Sequence, residues 1–131
     1  MPNTFASITG NLTRDPELRF TPNGQAVCVL SVAVNESYFD KTKGARVDQD
    51  PSFFDVQVWG ELAENVAQSG RKGNRVTCAG QLRQRSWESA DSTTGEARKF
   101  SRVELRAETV ALDLRFAVAE ALRVERRTAA A

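Results

Sequence analysis

Apolar and polar residues alternate strictly in the segment Phe53–Trp59, whose sequence is FFDVQVW. Successive side chains of a β-strand point to opposite faces, so Phe54 and the two valines share one face and form an ordinary core stripe. The other face carries Asp55 and Gln57 together with two large rings, those of Phe53 and Trp59. A polar face that also bears flat rings indicates a surface that stacks against a flat ligand.

The rest of the chain is predicted to form four more strands and a short helix. Leu62 and Val66 form an i,i+4 apolar pair, and Gly70 follows where a C-terminal helix cap belongs. A charged, turn-like stretch at 13–21 and a polar loop or hairpin tip at 38–52 separate the first three strands. The predicted order is strands Phe5–Leu12, Ala26–Val34 and Phe53–Trp59, helix Glu61–Ser69, and strands Arg75–Trp87 and Phe100–Thr109.

The fourth strand repeats the pattern of the third, and the fifth is expected to be half-buried with a merely solvated outer face. After Thr109 the apolar parity flips, which predicts a β-bulge or a change of partner. Residues 111–127 fit either strand or helix and are apolar enough to pack on another subunit. Expected core positions are Val76, Cys78, Gly80, Leu82, Val103, Leu105 and Ala107; expected outer positions are Gln81, Arg83, Arg85 and Trp87, then Arg102, Glu104, Arg106 and Glu108.

This order of elements is that of the five-stranded OB barrel, an all-β Greek-key fold with a helix between its third and fourth strands. Such barrels bind oligonucleotides across strands two and three and through nearby loops. The chain has 131 residues, enough for one domain with a real core. We expect the OB domain at 1–115 and a C-terminal extension, partly packed or flexible, at 116–131.

Charge is distributed unevenly along the chain, although the net charge is only +1. Nine Lys/Arg face four Asp/Glu between Arg71 and Arg106, whereas the first sixty residues have five against seven. A basic segment of this kind is typical of a surface that binds a polyanion. The alternative from charge alone is a solvated sheet face.

Enzyme chemistry is not expected. The chain has no histidine, the commonest general base and metal ligand, and neither a GxxxxGK[ST] loop nor a GxSxG elbow occurs. Cys28 and Cys78 lie in apolar strand patterns and are expected to be small buried hydrophobes, with a disulfide as the alternative. We therefore predict no metal and no cofactor. The sequence shows no signal peptide and no membrane span, so we expect a cytoplasmic, nucleoid-associated protein.

Four rings are the candidate stacking residues, and each has a structural alternative. Trp59 would be core if both faces of its strand were covered, and Phe53 would cap the barrel. Tyr38 would anchor its loop, and Trp87 ends its strand beside two arginines. Stacking of an unpaired base on such a ring contributes about 1–3 kcal/mol. Phe100 is expected to be structural, and Phe5, Phe20 and Phe116 to be core or interface residues.

Three stretches carry a family resemblance: GNLTRDPELRFTPNG at Gly10–Gly24, FFDVQVWGELAENVA at Phe53–Ala67 and RKGNRVTCAGQLRQRSW at Arg71–Trp87. Over about residues 4–115 the chain resembles the bacterial single-stranded-DNA-binding protein family. The resemblance implies an OB fold and a homotetramer that wraps single-stranded DNA. It also implies stacking by Tyr38, Phe53, Trp59 and Trp87, with Arg71, Lys72, Arg83 and Arg85 at basic positions. Tryptophan is usual where Tyr38 and Phe53 stand, so stacking there is expected to be weaker.

The expected function is binding of single-stranded DNA with little sequence preference, in replication, recombination or repair. An RNA-binding OB protein and a non-catalytic interaction module are the alternatives. Relatives usually end in an acidic, hydrophobic tip that recruits other enzymes, whereas this sequence ends in RVERRTAAA. If these 131 residues are the whole protein, the expectation is a specialised second copy of the family that does not recruit partners by that route; the alternative is that the sequence is truncated.

Overall fold

Eight strands and one helix make up the structure, a computed structural model that describes residues 3–90 and 93–125. The helix directly follows the strand that contains Phe53–Trp59, as predicted. In chain order the elements are β1 (Ala6–Leu12), β2 (Glu17–Phe20), β3 (Ala26–Val34), β4 (Ser37–Asp40), β5 (Ala45–Asp48), β6 (Ser52–Trp59), α1 (Glu61–Ser69), β7 (Arg75–Ala90) and β8 (Ala97–Leu112).

Five strands close into a barrel in the order β1, β7, β8, β6 and β3. The ring closes because β1 pairs with β7 along most of its length and with β3 at Asn11 and Leu12. The β6–β8 pair is parallel, and the other pairs of the ring are antiparallel. This closed order, with α1 between β6 and β7, confirms the predicted OB barrel.

The stretch at 13–21 is not only a turn, because it contains β2. This strand pairs with Ala26–Val29 on the same edge of β3 that β1 uses further along. Pro16 has no N–H to donate and separates the two strands. All four residues of β2 are exposed, so no alternation of burial marks it in the sequence. The hairpin expected at 38–52 is confirmed as β4 and β5.

The barrel interior is filled by β-branched residues and by both cysteines. Val32, Val56 and Val58 are completely buried, as are Cys28 and Cys78. Both thiols are free in the single chain, so the alternative of a disulfide between these two strands is wrong. The helix covers the barrel with Ala63 and Val66, and it is followed by Gly70, whose N–H donates to the Val66 carbonyl at 2.8 Å. Its predicted bounds and cap are confirmed.

A β-bulge lies where the sequence parity flips. Ala79 pairs with Thr109 but Gly80 pairs with Ala107, so Glu108 is an extra residue in β8. Gly80 is needed at this point, because a Cβ atom there would collide with the carbonyl oxygen of Arg106. The predicted irregularity is confirmed, and it allows one pair of strands to curve around the barrel and also to extend beyond it.

That extension corrects three predicted core positions. Strands β7 and β8 stay paired out to Ala90 and Ala97 and form an arm, residues 83–90 and 97–103, that projects from the barrel. Phe54, Leu82 and Val103 have core parity but are 37%, 42% and 60% exposed. None of the described strands covers the inner face at this end of the barrel, so the alternation continues without burial.

Apolar side chains outside the barrel depart from expectation as well. The core alternative for Phe5, Phe20 and Phe116 is wrong, because all three are more than half exposed in the single chain. Of the ambiguous segment 111–127, the first two residues belong to β8 and residues 113–125 contain neither helix nor strand, while 126 and 127 lie outside the described residues. Asp113 holds its start to the barrel: its carboxylate accepts from Arg75 Nε at 2.8 Å. The interface alternative for these residues stays a prediction.

Candidate nucleic-acid interface

Three neighbouring strands place their outward residues on one continuous surface. Gln57 of β6 pairs with Arg106 of β8, which pairs with Gln81 of β7. Paired residues of adjacent strands point to the same side of a sheet, so the three outer rows run side by side. We call this surface the aromatic–arginine face; it comprises Phe53, Asp55, Gln57 and Trp59, then Phe100, Arg102, Glu104 and Arg106, then Gln81, Arg83, Arg85 and Trp87.

The middle row, from β8, is not the merely solvated row that the sequence predicts. Arg102 Nη1 lies 2.5 Å from Asp55 Oδ2 of β6. Glu104 is only 8% exposed, and its Oε1 lies 3.4 Å from Arg85 Nε of β7. The β8 row therefore links the rows on either side of it. Local sequence gives no sign of this, because the parallel pairing of β6 with β8 joins segments about fifty residues apart.

Trp59 lies at the edge of a shallow cavity and is neither sealed in the core nor fully open. Its side chain is half-buried, and its indole Nε1, which is buried, has no hydrogen-bond partner among the described residues. The Arg106 guanidinium carbon lies 5.3 Å from the ring centroid. The cavity, which we call the Trp59 cavity, has a volume of about 240 Å³ and is lined by Gln57, Trp59, Arg83, Gln84, Arg85, Glu104 and Arg106.

Arg106 is a candidate site residue that the sequence pattern does not single out. Its guanidinium is placed over Trp59 where a stacked base would lie, and a guanidinium plane is itself a surface on which bases stack. The signal present in the sequence was its parity with Arg102 and Glu104. Unless β8 is known to lie between β6 and β7, that parity indicates only a solvent-exposed face.

The second aromatic group lies on the arm. Trp87 and Phe100 are a cross-strand pair with ring centroids 5.9 Å apart and planes 20° from parallel. Arg85 lies over the Trp87 ring, with its guanidinium carbon 5.2 Å from the centroid. Both rings remain more than a third exposed. They form a two-ring platform, so Phe100, expected to be structural, extends the surface that Trp87 offers.

Phe53 and Tyr38 are exposed at the end of the barrel from which the β4–β5 hairpin projects. Phe53 is 66% exposed and shares the outer row of β6 with Trp59. Tyr38 is 46% exposed and pairs with Val47 in the hairpin. Its neighbour Phe39 is also exposed and points to the opposite side of the hairpin. The hairpin therefore exposes one aromatic ring on each of its two faces.

Arg71 and Lys72 do not belong to the Trp59 cavity. They lie in the turn between α1 and β7, where the Lys72 N–H donates to Asp15 Oδ1 at 2.8 Å. Along β7, Arg83 is eight residues from Arg75, or roughly 26 Å at the usual strand rise. The structure groups Arg83 and Arg85 with Trp59 and Trp87, while Arg71 and Lys72 form a separate basic turn.

Burial and local charge shift the pKa values of a few groups. Desolvation raises the pKa of Cys28 to about 11, with a smaller contribution from the charge of Glu17. Burial also raises the pKa of Cys78 to about 11. A side-chain hydrogen bond from Arg75 lowers the pKa of Asp113. Both buried thiols are thus protonated at neutral pH.

In the described parts of the chain, no helix is long and apolar enough to cross a bilayer. Within residues 3–90 and 93–125, no cluster of three or more His, Cys, Asp or Glu side chains is placed to hold a metal ion.

Comparison with known proteins shows which protein family this chain is related to. The model of the "Single-strand binding protein family" matches residues 4–113. The chain belongs to this family. It is 40% identical over 124 residues to the single-stranded DNA-binding protein of Mycolicibacterium smegmatis, covering 95% of this chain and 72% of that protein. It is 41% identical to the single-stranded DNA-binding protein of Paenarthrobacter aurescens, covering 94% and 69%.

A solved structure shows the same architecture. The crystal structure of the small single-stranded DNA-binding protein from Streptomyces coelicolor superposes with a TM-score of 0.67 at 26% identity, covering 87% of this chain and 97% of that one. The family consists of non-catalytic DNA-binding proteins, so this chain is not an enzyme. Single-stranded DNA is the ligand of the family.

Proposed function

We propose that the chain binds single-stranded DNA across the aromatic–arginine face and does so with little overall sequence preference. The observation that carries this proposal is the side-by-side placement of exposed rings and guanidinium groups on three neighbouring strands. Every unpaired base has a π-face, so stacking on Trp59, on the Trp87–Phe100 platform, on Phe53 and on Tyr38 tolerates any sequence.

The guanidinium groups supply the second part of the binding energy. Arg83 and Arg85 border the Trp59 cavity, so a strand whose bases stack there has its phosphates within reach of both side chains. Arg71 and Lys72 extend the contact toward the turn before β7. Each neutralised phosphate releases counterions, with a log–log salt slope of about −0.7 per contact on single strands.

Assembly into a homotetramer completes the proposal. Leu114, Phe116, Val118 and Leu122 are all at least 60% exposed in the isolated chain. Several large apolar side chains exposed on one short segment are a feature that protein interfaces commonly cover. A tetramer would let one strand of DNA pass over several aromatic–arginine faces. In the cell it would protect cytoplasmic, nucleoid-associated single strands during replication, recombination or repair.

The test is a titration of the intrinsic tryptophan fluorescence with oligo-dT, oligo-U and duplex DNA of equal length, on protein of known oligomeric mass. We expect strong quenching and tight binding with oligo-dT, weaker binding with oligo-U, and weak binding with the duplex. Repeating the oligo-dT titration at several salt concentrations measures the phosphate contribution.

Equal affinity for oligo-U and oligo-dT would favour the RNA-binding alternative. Absence of any quenching, with protein that is folded by circular dichroism, would leave only a non-catalytic interaction module. Either result contradicts the proposal.

A further inference from the structure

A buried carboxylate lies within a surface that otherwise suits a polyanion. Glu104 lines the Trp59 cavity and is 8% exposed, whereas most charged residues around it are open to solvent. Its cross-strand partner is Arg83, and Arg85 and Arg106 also line the cavity. A carboxylate repels phosphate, so Glu104 does not suit contact with the DNA backbone. Its position among three arginines therefore indicates a different role.

The structural role of Glu104 uses only part of its hydrogen-bonding capacity. Arg85 and Arg102 are directly opposite each other on β7 and β8, and like charges so placed are destabilising. Glu104 offsets one of them through the 3.4 Å approach of its Oε1 to Arg85 Nε. An ionised carboxylate accepts at about four lone-pair sites, so acceptor capacity remains within the cavity.

The neighbouring groups in the cavity include hydrogen-bond donors. The buried indole N–H of Trp59 has no partner among the described residues, and the side-chain amides of Gln57 and Gln84 line the same cavity. Its volume of about 240 Å³ lies just under the roughly 300 Å³ at which pockets for drug-sized ligands begin, which suits a fragment the size of one base.

Bases differ in what they present to such a site. Cytosine carries an exocyclic amino group, which donates to carboxylates, and a carbonyl oxygen at the other end of the same edge. Thymine carries carbonyl oxygens at both ends, so a carboxylate facing either one is repelled. The N3–H of thymine can donate to a carboxylate, but the carbonyl oxygens on both sides of it repel that carboxylate.

We propose that Glu104 determines base preference in the Trp59 cavity by accepting a hydrogen bond from the exocyclic amino group of a bound base. The cavity then favours cytosine over thymine, while the other stacking positions stay indifferent. This proposal rests on the proposed function, because it requires a base to occupy the cavity.

The test compares oligo-dC with oligo-dT of equal length by tryptophan fluorescence titration, for the native chain and for Glu104→Gln. A glutamine amide both donates and accepts, so it does not reject thymine. We expect the ratio of dC to dT affinity to fall by roughly three- to tenfold in Glu104→Gln, the effect of one charge-assisted hydrogen bond. Glu108→Gln removes the same charge from β8 outside the cavity and should leave the ratio unchanged.

A change on the DNA side keeps the test independent of how the variant folds. Oligomers of N4,N4-dimethylcytosine lack the amino hydrogens, and the native chain should bind them less tightly than oligo-dC by a similar factor. The role of Glu104 would be overturned if the ratio of dC to dT affinity were unchanged in Glu104→Gln. It would also be overturned if the native chain bound the methylated oligomer as tightly as oligo-dC. In both cases, saturable quenching would still support the proposed function. Loss of all quenching in the native chain would instead contradict the proposed function itself.

Discussion

Trp87→Ala is the substitution that most clearly separates DNA binding from folding. Trp87 lies on the arm, where residues 83–90 are all exposed, so its side chain contributes nothing to the barrel core. Removing it leaves Phe100 without its stacked partner and leaves Arg85 without the ring beneath its guanidinium. We expect an intact barrel with a damaged platform.

The expected losses of stability and of binding free energy in Trp87→Ala follow from the contacts of the Trp87 ring. Loss of the Trp87–Phe100 pair costs about 0.5–1.5 kcal/mol, confined to the arm. Loss of one stacked base costs about 1–3 kcal/mol of binding free energy, a fall in affinity of about 5- to 150-fold per site. Phe100→Ala should weaken binding less. The double variant should lose less than the sum of the two, because the rings form one platform.

Trp59 remains as the fluorescent reporter in Trp87→Ala, so the same titration with oligo-dT measures every variant. Ser86→Ala, on the other face of the arm, is the matched control and should bind as the native chain does. Native affinity in a folded Trp87→Ala protein would refute the reasoning that the arm platform holds a base.

Three further substitutions or conditions test other parts of the structure. Arg83→Ala should weaken oligo-dT binding and reduce the salt slope by about 0.7, since one phosphate-reaching guanidinium is lost; an unchanged slope would show that Arg83 contacts no phosphate. Gly80→Ala should lower the free energy of unfolding by about 1–3 kcal/mol in chemical denaturation, because the new Cβ meets backbone of β8; an unchanged midpoint would contradict this. The pKa of each thiol rises from 9.0 to about 11 on folding. The unfolded chain therefore loses these protons first, and the free energy of unfolding should fall as pH rises from about 9 to 11. The fall should be smaller in Cys28→Val/Cys78→Val, and an identical pH profile would exclude the thiols as its cause.

The sequence predicted those elements whose local pattern decides their structure. Ala26–Val34 and Glu61–Ser69 have the bounds expected of them, because a continuous β-branched run and a helix between two glycines are set by nearby residues. Strand β2 was missed since it gains its place only by pairing with the edge of β3. Its own four residues show no buried face.

In the candidate site, too, residues with a local sequence pattern were predicted, and residues that depend on neighbouring strands were not. Trp59 and Trp87 stand out in the sequence because rings on a polar face are locally visible. Phe100 and Arg106 do not, since their importance depends on which strand lies beside them. Phe54 was assigned to the core by parity alone, and parity cannot tell where the barrel ends and its open mouth begins.

The central claim is that unpaired bases contact the rings of the aromatic–arginine face, and the two indole N–H signals of the ¹⁵N-labelled chain report on it directly. The chain has two tryptophans, Trp59 and Trp87, so the signals can be assigned with Trp87→Phe alone. On addition of oligo-dT, both signals should shift and saturate together at the DNA concentration that saturates binding. If the DNA binds while both indole signals stay in place, the strand lies elsewhere on the protein and the account is contradicted.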